Sequence, residues 1–309
     1  MDDDVVGWLL EGDVAVQYRT CRDLLGRDDA ALQGRIAREG EGAALLAADG
    51  GAGHWGRGFY QPKWTSSHYT LLELRNLGVS SRTPRARDVV GLILEQEKGA
   101  DGGLDCSSSL RPSDACVNGM ALDYASYFGA DEDRLASVVD FLLLQRLPDG
   151  GFNCRLNRGG ARHSSVHTTV CVIEGITQYQ RSGHGYRVDE LTCARAGATE
   201  FLLRHRLYRS ERTGEVIHPE LTRLHHPARW HFDVLRGLEA LADCGTAYDP
   251  RMDDALRVLG SRRDPDGRWA ANRPYPGDTH LPRPRAGRPN RWITLIASRV
   301  LRAYPVPAS

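Results

Sequence analysis

Apolar residues recur at helical spacing along most of the chain. Residues 136–144 and 194–203, for example, carry apolar side chains every three or four positions, as amphipathic helices do. Five times, a turn with glycine and in most copies an aromatic or aliphatic residue is followed by a polar connector and an apolar helix. The turns lie at 53–55, 102–104, 151–152, 213–214 and 266–269, and the helical segments at 67–74, 117–122, 167–173, 230–235 and 292–296. Each unit therefore predicts a helix pair.

Helix pairs that repeat five times have to bury their apolar faces against their neighbours. About 50 residues per pair favours an all-α fold, an α/α toroid that forms a closed ring of about five helix-pair repeats. We expect one domain over residues 1–309, with residues 1–50 as an N-terminal helical cap. The inner helices of such a ring point the same way, so their N-termini and the preceding connectors meet at one mouth of the central cavity.

Composition narrows the classes of function. The 40 basic and 40 acidic residues cancel, so the charge does not indicate nucleic acid as a partner. The chain starts Met1-Asp2-Asp3-Asp4, unlike a cationic signal peptide, and no apolar run approaches the roughly 20 residues of a membrane span. These features predict a cytoplasmic protein without a transmembrane segment. Its seven cysteines are then reduced thiols, and some of them are available for metal.

Two hexapeptides about 48 residues apart indicate a metal site. The first runs from Asp101 to Cys106 and is followed by Asp114 and Cys116; the second ends at Cys154 and is followed by His167. If the two turns are equivalent points of successive repeats, these borderline and soft ligands meet at the mouth, as zinc requires. We expect zinc on Asp114, Cys116, Cys154 and His167, with Cys106 as an alternative fourth ligand, and Cys116 close to Cys154.

A family resemblance rests on the same residues. The segments Asp114-Ala115-Cys116 and His167-Thr168 resemble the zinc-binding region of protein prenyltransferase β subunits, which implies zinc on Asp114, Cys116 and His167. The turns at 147–152 and 264–269 resemble the repeats of squalene and hopene cyclases. The whole chain is similar to squalene cyclase-like and prenyltransferase-like toroids. The resemblance implies a zinc-dependent transferase or cyclase that acts on an apolar, isoprenoid substrate.

Several differences from the motifs of these families keep other functions open. An Asp-X-Asp-Asp acid motif is absent, and Val117 and Met120 stand where the prenyltransferases have aromatic residues. A partner subunit is possible but is not implied. One alternative is a non-catalytic toroid that binds a lipid or peptide and contains a structural zinc. Another is a thiol-activating cyclase of the lanthionine-cyclase type, although the Cys-His-Gly signature of that class is absent.

The remaining candidates are assigned by their places in the repeats. Aromatic residues on or near the inner helices are expected to line the cavity, and arginines near the metal motif are expected to clamp a diphosphate or carboxylate. The substrate-binding candidates are Trp64, Tyr69, Arg111, Arg155, Arg229, Trp230 and Trp292, and the catalytic candidates are Asp114, His167, His68 and His226. The connector from Arg273 to Arg291 is long, which is typical of a lid or a surface excursion.

Overall fold

The computed structural model describes residues 3–106, 113–154 and 159–305. Those three ranges contain thirteen α-helices and no β-strand, which confirms the all-α class. The first six helices are α1 (Asp3–Leu10), α2 (Val14–Asp23), α3 (Ala30–Ile36), α4 (Gly40–Ala47), α5 (Ser67–Leu77) and α6 (Pro84–Gln96). The other seven are α7 (Ala115–Tyr127), α8 (Glu132–Leu144), α9 (Val166–Arg181), α10 (Val188–Arg204), α11 (Val234–Asp243), α12 (Asp253–Ser261) and α13 (Arg291–Ala303).

The five predicted turns are closed in similar ways: four have an antiparallel bridge and the first has a parallel one. Each is closed by an isolated β-bridge whose two residues are six or seven positions apart, pairing 50 with 56, 98 with 104, 146 with 152, 209 with 216, and 263 with 269. In four of the turns, the large residue at or near the end of the turn is fully buried: Trp55, Leu104, Phe152 and Trp269. The turn residue therefore anchors each unit in the core.

A second repeated contact joins each of these turns to the helix that follows it. The backbone N–H of Trp55 donates to the Ser67 hydroxyl at 2.9 Å, and that of Leu104 donates to the Asn118 side chain at 2.7 Å. The same bond recurs between Phe152 and Thr169 at 3.0 Å and between Trp269 and Thr294 at 3.0 Å. Because the bond satisfies a buried donor in the turn, it fixes where each inner helix begins relative to its turn.

Six helices contact one another in an unbroken order. Helix α5 contacts α7, α7 contacts α9, α9 contacts α11 and α11 contacts α13. Helix α13 also contacts α2, and α2 contacts α5. Helices α8, α10 and α12 pack against α7, α9 and α11 respectively, and a single cluster of buried apolar residues extends from Val5 to Tyr304. The N-terminal helices thus lie between the two ends of the repeat series, while a closed α/α toroid stays a prediction.

The contact between α7 and α9 is unusually close because glycines face each other. A Cβ atom added to Gly119 would lie 2.7 Å from the carbonyl oxygen of Cys171, and one added to Gly175 would collide with the backbone of Gly119. A side chain at either position would push the helices apart. The two glycines therefore explain why these helix backbones touch.

Candidate functional site

The predicted neighbours Cys116 and Cys154 do lie together. Cys116 is in the first turn of α7, and its backbone N–H donates to the Cys154 sulfur at 3.2 Å. The Cys154 sulfur also lies 3.4 Å from the hydroxyl of Thr168, in the first turn of α9. Their mutual hydrogen bond raises the pKa of the Cys116 thiol, helped by burial, and lowers that of Cys154.

The other predicted zinc ligands make different contacts. The Cys106 sulfur lies 3.7 Å from a carboxylate oxygen of Asp114, which precedes α7. The His167 ring points toward repeat four, where its Nδ1 accepts the backbone N–H of Phe232 at 2.8 Å. A histidine that binds metal through Nε2 donates a proton from Nδ1, so the hydrogen bond to Phe232 opposes that role.

The predicted zinc ligands are not gathered into one group among the described residues. Over residues 3–106, 113–154 and 159–305, the His, Cys, Asp and Glu side chains form no group of three or more that could hold a metal ion. The two hexapeptides instead have a structural role, because their aspartates hold the connectors: the Ser113 N–H donates to Asp101 at 2.8 Å and the Ser164 N–H donates to Asp149 at 2.8 Å. Zinc stays a prediction.

Beside the cysteines is an open pocket of about 450 Å³ that we call the outer pocket. Its wall includes Lys63, Trp64, His231 and Tyr275. The Lys63 ammonium lies 4.8 Å from the ring centre of Trp64 and 5.0 Å from that of Trp230, so two of the predicted aromatic residues flank a lysine. Such cation–π contacts hold the Lys63 side chain at the outer pocket.

Two other predicted residues lie in the core. His68 is fully buried among aromatic rings, and its Nδ1 lies 3.2 Å from the hydroxyl of Tyr124. Burial lowers the pKa of His68 to about 3. Tyr69 is also fully buried, and its hydroxyl bonds to that of Tyr60 at 3.2 Å. Neither His68 nor Tyr69 lines the outer pocket or the second cavity of the described structure.

The second cavity, which we call the central cavity, has a volume of about 280 Å³. Its wall takes side chains from α2, α5, α7, α9, α11 and α13. Charged groups dominate the polar part of the wall: Arg19, Arg75, Arg181, Arg229, Arg236, Arg283, Glu41, Glu73, Asp123, Glu174, Asp233, Glu239 and Asp243. These charged groups, which we call the ionic wall, lie among apolar side chains such as Leu72, Leu235 and Ile296. The apolar substrate that the sequence predicted for this space stays a prediction.

Most of these charges form ion pairs between neighbouring elements. Arg75 of α5 lies 2.9 Å from Asp123 of α7, and Arg236 of α11 lies 2.6 Å from Glu174 of α9. Arg299 of α13, behind the wall, lies 2.9 Å from Asp243 of α11. The predicted Arg229 is likewise paired, at 3.3 Å from Glu73 of α5. The pairs tie successive inner helices to one another.

One corner of the central cavity differs from the rest. The indole N–H of Trp292 donates to Glu41 at 3.1 Å, and the His226 ring stacks on Trp292 with centres 5.3 Å apart. Burial and the neighbouring Asp13 raise the pKa of Glu41 to about 7, while burial lowers the pKa of His226 to about 3. A carboxyl group of this kind exchanges a proton readily near neutral pH.

The connector at 273–291 lies across the mouth. Its Tyr275 ring stacks on His231 with centres 3.5 Å apart, and the carbonyl of Pro276 accepts the indole N–H of Trp64 at 2.6 Å. His280 bonds to the carbonyl of Thr65 at 3.0 Å. Residues of the connector line both the outer pocket and the central cavity. It therefore covers the site, as a lid does.

The sequence predictions covered this site in part. Arg229, His226 and Trp292 line the central cavity, and Arg111 and Arg155 lie outside the described residues. Glu41 and Glu174 also line the central cavity but were not among the residues predicted from the sequence. The signal for Glu174 was available, since a carboxylate follows Val172 and Ile173 inside an otherwise apolar helix.

Comparison with known proteins adds no assignment. Neither a protein-family model nor a curated protein matches this chain. None of the helices in the described ranges is both long enough and apolar enough to cross a membrane.

Proposed function

We propose that the chain forms a closed α/α toroid and binds a small, polar, charged molecule in the central cavity. Two observations support the closed ring: a short-range β-bridge closes each of the five turns, and the inner helices contact each other in an order that returns from α13 to α2. One domain would then include residues 1–50 as the segment that completes the ring.

The ionic wall is the single observation that carries the ligand class. An isoprenoid chain placed in the central cavity would displace water from arginine and carboxylate groups without replacing their hydrogen bonds, which is unfavourable. A ligand with its own charged or hydroxyl groups can bond to the same side chains. Arg229 is the strongest candidate for binding an anionic group, because burial lowers its pKa and its 3.3 Å contact with Glu73 is longer than the Arg75–Asp123 and Arg236–Glu174 contacts.

We further propose that the protein is an enzyme in which Glu41 transfers a proton to or from the ligand. A carboxyl group with a pKa of about 7 is present in both protonation states at neutral pH. Trp292 holds it in place, and His226 closes the same corner. The zinc-dependent reaction predicted from the sequence would take place at the cysteines, so it does not need this corner.

Ligand-induced thermal stabilisation tests the proposal, since a molecule bound only by the folded protein must raise its Tm. We expect diphosphate, dicarboxylates or amino acids to raise the Tm, and farnesyl diphosphate to add nothing beyond diphosphate. Arg229→Met should abolish the shift, and Glu41→Gln should change its pH dependence. Arg257→Met, at a half-exposed position on α12, is the control and should keep it. Stabilisation by farnesyl diphosphate alone would refute the polar ligand and favour the isoprenoid prediction.

A zinc-dependent enzyme, in the cytoplasm and acting on an isoprenoid, is the second candidate. It is favoured by one observation, the contact between Cys116 and Cys154. Because His167 bonds to Phe232, such a site would need a rearrangement at His167 or a ligand from elsewhere. Metal analysis of the purified protein tests this candidate. We expect about one zinc per chain in the native protein and none in Cys116→Ala. A native protein without zinc, or a variant with unchanged zinc, would rule the zinc site out.

A further inference from the structure

We propose that Cys116 and Cys154 form a reversible dithiol–disulfide pair at the mouth, with Cys154 as the thiol that attacks first. The Cys154 sulfur lies 3.2 Å from the backbone nitrogen of Cys116. The two thiols also share a side-chain hydrogen bond, which brings their sulfurs together. Both side chains are partly exposed, so small oxidants and reductants can reach them.

The surroundings of the two sulfurs differ, and the difference indicates which thiol attacks the oxidant and which one resolves the product. The Cys154 sulfur accepts a backbone N–H in the first turn of α7 and lies beside the Thr168 hydroxyl in the first turn of α9. Donors and helix N-termini stabilise a thiolate, which is the reactive form of cysteine. The third nearby thiol, Cys106, makes a different contact, because its sulfur lies 3.7 Å from the Asp114 carboxylate. Cys116 is therefore the resolving thiol.

The chemistry balances with a peroxide as the oxidant. The Cys154 thiolate attacks one peroxide oxygen, the O–O bond breaks, and Cys154 becomes a sulfenic acid as hydroxide leaves and takes up a proton. The Cys116 sulfur then attacks the Cys154 sulfur, the S–O bond breaks, and the second water leaves with the Cys116 proton. Two thiols and hydrogen peroxide give one disulfide and two waters. A dithiol reductant reverses the change by thiol exchange.

The disulfide would act at the outer pocket. It would join the first turn of α7 to the turn that precedes α9, residues 38 positions apart. It would also remove the Cys116 thiol from beside Tyr60 and Lys63, whose electrostatic neighbours include this cysteine. Oxidation would thus fix one side of the mouth while leaving the central cavity unchanged.

Peptide mapping of the full chain tests the pair. The protein is reduced, treated with a chelator, exposed to one equivalent of hydrogen peroxide, and digested without reductant for mass spectrometry. We expect two thiols per chain to disappear and a Cys116–Cys154 peptide to appear, with a higher Tm that returns to its starting value with dithiothreitol. The Cys116→Ser variant should stop at a Cys154 sulfenic acid, which dimedone traps.

Controls separate this pair from other thiols. Cys193→Ser, at an exposed position on α10, should leave the cross-link intact, and so should Cys171→Ser, at a fully buried position. A cross-link that contains Cys106, or no loss of thiols, would overturn the proposal. So would one zinc per chain that protects both thiols until the chelator is added, because the cysteines would then be metal ligands. These outcomes do not depend on the ligand of the central cavity.

Discussion

Neighbouring inner helices are joined in two different ways, and the contrast explains the character of the central cavity. Between α9 and α11 the joint is a buried ion pair, Arg236 with Glu174, whereas α7 and α9 touch through the backbones of Gly119 and Gly175. The glycine joint leaves no side chain to place in the cavity. The ionic joint places two charges in its wall. The ion pairs between these helices therefore place charge in the central cavity, although the helices also pack through a buried apolar cluster.

Breaking the ionic joint should give the largest effect. Arg236→Met leaves Glu174 partly buried without its partner, which we expect to lower the free energy of unfolding by about 3 to 5 kcal/mol in urea denaturation. The double variant Arg236→Met, Glu174→Met removes both charges and should recover most of that loss. If the double variant is as unstable as the single one, the pair is not what joins these helices.

The glycine joint should respond less strongly but in a more local way. In Gly175→Ala the new methyl group meets the Gly119 carbonyl, so we expect a loss of about 1 to 3 kcal/mol on unfolding. Gly34→Ala, in α3, is the matched control, because no atom lies within 4 Å of its added Cβ. There alanine should be neutral or stabilise the helix by up to about 1 kcal/mol. Equal effects at both positions would contradict a close helix contact.

The difference between the joints also explains what could be predicted from the sequence. The turns and the apolar helices repeat locally, so the all-α class, the five units and the contact between Cys116 and Cys154 followed from spacing alone. The ionic wall depends on pairs such as Arg236 and Glu174, which lie 62 residues apart. A carboxylate after apolar residues marks Glu174, but nothing local identifies its partner. The orientation of His167 toward Phe232 is likewise set by packing between repeats.

The contact between the last helix and the N-terminal helix α4 should give the smallest effect. There Trp292 of α13 bonds to Glu41 of α4, beside Asp13 and Glu73. Glu41 has a pKa of about 7 in the folded protein against 4.5 as the ordinary value, so the folded state holds its proton more tightly than the unfolded state. The contribution of Glu41 to the free energy of unfolding should therefore be fully present below pH 4.5 and should be lost as the pH rises through 7.

We expect a fall of about 1 to 2 kcal/mol, because partial exposure reduces what the full shift would give. Glu41→Gln keeps the hydrogen bond from Trp292 but cannot titrate, so its urea denaturation midpoint should depend less on pH between 5 and 8 than that of the native protein. Glu95→Gln, at an exposed position on α6, is the control and should leave the slope unchanged. If Glu41→Gln keeps the native slope, Glu41 does not titrate near neutrality, and the proton transfer proposed for it would fail with it.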